Sequence, residues 1–105
     1  MAVDWKSYKS NGSAVSHTVS TESKMLMHVS LYNTDTVGCW MLLYNGDPST
    51  TTDDPLPFYA PAGGGTVNNP MRLLFPDGIF IKIGQTIDGA TAMTTGKVRY
   101  GVAYA

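Results

Sequence analysis

The chain has 105 residues, 43% of them apolar and 14% charged, with a formal net charge of −1. One modest domain with so little charge (against a typical ~25%) and basic residues scattered from Lys6 to Arg99 excludes the clustered cationic surface that nucleic acid requires. A lone cysteine, Cys39, excludes an intrachain disulfide and fits a reducing compartment, and no apolar run approaches the ~20 residues of a membrane-spanning helix.

Residues 1–12 carry Trp5 and Tyr8 among polar neighbours and end at Asn11-Gly12. They read as an N-terminal arm ahead of a β domain at residues 13–105, and they lack the hydrophobic stretch of a secretory signal. Ser13–Ser20 sets Val15, His17 and Val19 against Ser16, Thr18 and Ser20, a period of two that predicts a strand. Lys24–Tyr32 is a stronger one, with Met25, Met27, Val29 and Leu31 on one face and Leu26, His28, Ser30 and Tyr32 on the other. After a turn at Asn33–Val37, Gly38–Tyr44 is nearly continuous in apolar residues and suits a central strand.

Residues 47–54 form a polar loop, and Pro55–Tyr59 reads as an edge strand because its prolines cannot donate ladder hydrogen bonds. Ala60–Pro70 reads as a second loop around Gly63–Gly65. Met71–Phe75 and Ile79–Ile83 flank Pro76-Asp77-Gly78, whose turn chemistry predicts an antiparallel hairpin. Ile79, Ile81 and Ile83 are then buried and Lys82 exposed. Gln85–Gly96 is a third loop with a brief strand at Gln85–Ile87, and Lys97–Ala105 is the last strand. No window carries a capped helical repeat. The chain therefore reads as all-β, a single antiparallel β-sandwich of about seven strands, with the jelly roll among the arrangements it fits.

Little in the sequence points to catalysis. His17, His28 and Cys39 lack the spacing of a metal motif, and Cys39 sits among apolar residues that suit an inert core thiol. There is no G-x-S-x-G, no calcium ladder around Asp47, Asp53 and Asp54, and no G-K-[ST] after the glycines. No metal, no cofactor and no enzymatic activity are expected. The candidate partner-binding residues are Trp5 and Tyr8 of the arm, and Arg99, Gly101 and Ala103 of the last strand. The latter three line the face opposite Val98, Tyr100, Val102 and Tyr104, and small residues there would let another backbone or subunit pack closely.

Four pieces of the sequence carry a resemblance: VSLYN at Val29–Asn33, WMLLYNGDPS at Trp40–Ser49, PLPFYAPAGGGTVN at Pro55–Asn68 and FPDGIFIKIG at Phe75–Gly84. Together these resemble small β-sandwich virion proteins of tailed bacteriophages, over about residues 29–84. The resemblance implies a non-enzymatic structural protein of the virion, assembled in the host cytoplasm. It would decorate or cement the capsid, with phage capsid or neck proteins as partners, and transfers no catalytic residue. A homo-oligomer is expected, a trimer by analogy with decoration at threefold positions, with neither nucleic acid nor membrane as partner. The alternative is a carbohydrate-binding β-sandwich module that uses Trp5, Tyr8 or Trp40 as a stacking platform.

Overall fold

A computed structural model describes residues 2–13 and 15–105, apart from the side chain of Val15. The expected core position of Val15 therefore lies outside the described residues. Among the described residues there are eight strands: β1 (Asp4–Lys9), β2 (Val15–Ser20), β3 (Lys24–Asn33), β4 (Cys39–Asn45), β5 (Leu56–Ala60), β6 (Gly65–Phe75), β7 (Ile79–Gly84) and β8 (Val98–Tyr104). They form two four-stranded antiparallel sheets with the orders β1-β8-β3-β6 and β2-β7-β4-β5. Only the β4–β5 connection stays within one sheet; every other connection crosses the sandwich. This is the jelly-roll arrangement, an architecture shared by viral capsid proteins, lectins and cupins.

The core lies between the sheets. Leu26, Val29, Leu31, Val98 and Val102 from one sheet meet Met41, Leu43, Ile79, Ile81 and Ile83 from the other. The alternating isoleucines of β7 all point inward, as their period of two predicts. Lys82, on the opposite face, is half-buried rather than free, with its ammonium 5.5 Å from the Tyr44 ring centroid. β4 is central as expected, and β5 with its prolines is an edge.

Four expectations are corrected. The Pro76-Asp77-Gly78 turn does not close a hairpin. β6 pairs with β3 in one sheet, while β7 pairs with β2 and β4 in the other. The turn chemistry is real, with Gly78 at φ 101° and its N–H donating to the Phe75 carbonyl. It serves as a corner between sheets, because β3 already supplies the partner for β6.

Residues 65–70 are strand, not loop. β6 begins at Gly65, and Pro70 is tolerated because β6 is an edge whose outer side needs no donor. In β3 a bulge between Leu26 and His28 inverts the alternation. Leu26 is thereby buried together with Val29 and Leu31, where a strict period of two would place them on opposite faces.

Finally, residues 4–9 do not stand apart as an arm. They form β1, paired along its whole length with β8. The small residues of β8 do admit a second backbone, but it is the chain's own: a Cβ on Gly101 would lie 2.5 Å from the Lys6 carbonyl oxygen. The last strand is thus interior, between β1 and β3.

One end of the sandwich is held by Asn33, fully buried at the end of β3. Its Nδ2 donates to the carbonyls of Val37 (2.8 Å) and Ala60 (3.1 Å) and lies 3.3 Å from that of Pro61; its Oδ1 accepts the Asp35 N–H at 2.9 Å. Asp35 continues the network to the Thr94 N–H.

Candidate functional site

Pairing of β1, β8 and β3 places three rows of side chains on the outer face of their sheet. The first row is Trp5–Ala103–His28, the second Ser7–Gly101–Ser30, and the third Lys9–Arg99–Tyr32. The middle row is small, so the taller rows on either side leave a trough that crosses the strands. It has a volume of about 360 Å³. Trp5 is 60% exposed and Tyr32 46% exposed. The Trp5 and His28 rings approach to 5.6 Å between centroids, above buried Ala103. His28 is fixed in turn by a hydrogen bond between its Nε2 and Asn68 Oδ1 on β6.

Of the five sequence candidates, Trp5, Arg99 and Gly101 therefore meet at this trough, and Ala103 underlies one wall. Tyr8 only borders it, because alternation turns its ring inward. There it stacks on His17 at 4.0 Å, and both approach Tyr100, whose hydroxyl lies 2.6 Å from His17 Nε2. This trio joins the two sheets along their β1/β2 side. Burial pushes the Tyr8 and Tyr100 phenols up and the His17 imidazole down, so all three favour the neutral form near pH 7.

The trough also uses Ser7, Ser30 and Tyr32, which the candidate set lacked, and His28 packs against Trp5 beside it. The outward face of β3 was visible as alternation, but nothing in the sequence tied it to Trp5, since the β1–β8–β3 pairing is a long-range fact.

His17, His28 and Cys39 do not converge. Among the described residues no three His, Cys, Asp or Glu side chains gather as metal ligands. Cys39 is fully buried, and burial, with the Asp35 charge nearby, pushes its thiol up to about 12. Trp40, the third aromatic candidate, lies on the other sheet against Tyr59, with ring centroids 4.9 Å apart.

A second surface feature lies on β6, whose far side has no strand beside it among the described residues. Leu73 and Leu74 are 43% and 55% exposed there, and with Leu43, Pro55, Leu56 and Phe75 they line a groove of about 280 Å³ that Asn45 and the carboxylates of Asp53 and Asp54 also line. No signal in the sequence marks this patch, because two leucines beside a turn are expected inside.

No protein-family model and no curated protein matches the chain. Among solved structures, the coat protein of Tobacco streak virus is similar, with a TM-score of 0.47 and 10% identity over 98% of this chain and 85% of that one.

Proposed function

We propose that this chain is a non-enzymatic structural protein of a virion, of the bacteriophage capsid-decoration kind, which joins neighbouring subunits and its own copies through the β6 edge. The observation that carries the reading is the pair of exposed leucines, Leu73 and Leu74, on the edge strand β6, eleven residues long and paired on one side only. A long edge with apolar side chains is a template for association unless something covers it; Pro70 and Arg72 restrict the middle of this edge, and the two leucines lie beyond them, next to the turn. The sequence resemblance over residues 29–84 supports the phage setting, and the jelly roll is compatible with it at the level of fold analogy.

A stable interface takes about 800 Å² from each partner, roughly 15% of the 5462 Å² that this chain exposes. A trimer around a threefold capsid position is the proposed arrangement, by analogy. The test is mass spectrometry and electron microscopy of purified particles. The reading expects this chain in stoichiometric amounts, with its β6 edge against a neighbouring subunit. Particles that lack it, or carry it with β6 facing solvent, refute the reading.

A further inference from the structure

The trough on the outer face of β1, β8 and β3 is separate from the β6 edge and has features that self-association does not use. We infer that it binds a short, linear, uronate-bearing oligosaccharide, with Trp5 and Tyr32 stacking on sugar rings and Arg99 pairing with a carboxylate.

The shape sets the size of the occupant. Trp5 and Tyr32 stand two strands apart and four residues along, about 17 Å between Cα positions. Between them the floor is Ser7, Gly101 and Ser30, low enough for a chain of rings to lie flat and lined with two hydroxyls. A volume of about 360 Å³ is at the small end for ligand sites and admits only a few rings. Two exposed aromatic faces with hydroxyls between them match a pyranose, which offers an apolar face and a polar rim.

The charge selects the sugar class. Arg99 is the one charged residue lining the trough, and Lys9 is its register partner on β1. No carboxylate lines the trough, and Arg99 forms no salt bridge among the described residues. An exposed guanidinium facing a neutral, aromatic-walled trough is complementary to a carboxylate carried on the ligand.

Other occupants fit less well. A peptide in the trough could not pair as a strand, because β8 beneath it is paired on both sides and the open edge of β1 lies outside the trough. Nucleic acid would need several cations to neutralise its phosphates, whereas this face offers two.

The test uses the intact chain with trigalacturonate, its methyl ester as the uncharged counterpart, and 3′-sialyllactose as a terminal acidic sugar. Nitrogen-15 NMR follows the Trp5 indole N–H and the Gly101 and Ser30 amides. Trigalacturonate is expected to shift all three. Its affinity should fall about tenfold or more in Trp5→Ala and in Arg99→Gln. The methyl ester should bind wild type about tenfold more weakly and should be insensitive to Arg99→Gln. Both side chains are exposed, and Arg99→Gln tests the idea even if Trp5→Ala does not fold. The proposal is overturned if trigalacturonate shifts nothing at millimolar concentration, or shifts residues outside the trough. It is equally overturned if the ester or sialyllactose binds as tightly as the acid. None of these outcomes bears on the β6 edge, so the virion reading stands or falls separately.

Discussion

Replacing Asn33 with alanine is expected to be among the most damaging single changes in the molecule, although no catalytic or ligand-binding role is assigned to it. Its side chain satisfies the Ala60 carbonyl and the Asp35 N–H in interior positions, and also bonds the Val37 carbonyl nearer the surface. Alanine removes all of these at once. The Val37 carbonyl can turn to water, but the two interior groups lose their Asn33 partner, at about 1–3 kcal/mol each. Allowing for partial relaxation, the loss is about 3 kcal/mol, a large share of the stability of any domain this size. At roughly 5 °C per kcal/mol, the melting temperature should fall by about 15 °C. Asn33→Asp keeps the shape but turns donors into acceptors facing carbonyls, so it should be at least as destabilising at neutral pH. Circular dichroism melts and urea titrations of the three proteins check this. If Asn33→Ala melts within about 3 °C of wild type, the buried network is not what holds this end of the sandwich.

Valine at Gly78 should destabilise by about 2 kcal/mol or more, because φ there is 101° and a Cβ would strike the Ser20 backbone; an unchanged urea midpoint refutes the corner geometry. Deleting residues 1–12 should lower the stability of the whole domain, since it strips β1 from β8 and uncovers Tyr100; a truncated chain that melts like wild type would restore the independent arm. Burial holds the His17 pKa below its unfolded value, so between those two values the unfolded chain binds more protons and stability rises with pH. Urea stability should therefore fall from about pH 7.5 to about pH 5 and fall less in His17→Gln, and equal slopes in the two proteins would contradict this. Cys39, with its thiol pushed up to about 12, should resist thiol reagents in the native protein and react only on unfolding; rapid native labelling would show that it is accessible.

What could be read from the sequence was mostly local. The isoleucine alternation of β7, the apolar run of β4 and the prolines of β5 each report on one strand's own environment, and each was read correctly. Pairing partners were a different matter. Pro76-Asp77-Gly78 encodes a tight turn, yet whether the chain folds back beside itself or crosses to the other sheet depends on β3 occupying the flank of β6. The same holds for β1: Trp5 and Ser7 face solvent, so the strand looks too polar for a sheet until Gly101 is seen to admit its backbone. The bulge at Met27 hid the inward turn of Leu26, because one inserted residue reverses every later parity. The trough was half legible, since Trp5, Arg99 and Gly101 stood out by type. Tyr32 and His28 joined them only through register.

The role assigned to the β6 edge can be tested by sedimentation equilibrium of wild type beside the Leu73→Asp/Leu74→Asp variant, with thermal melts run in parallel. Wild type is expected to self-associate as its concentration rises. The variant should stay monomeric and keep a cooperative melt, because both leucines are about half exposed. A wild-type chain that remains monomeric at high concentration, or a double variant that associates as wild type does, would contradict the claim that this edge builds the assembly.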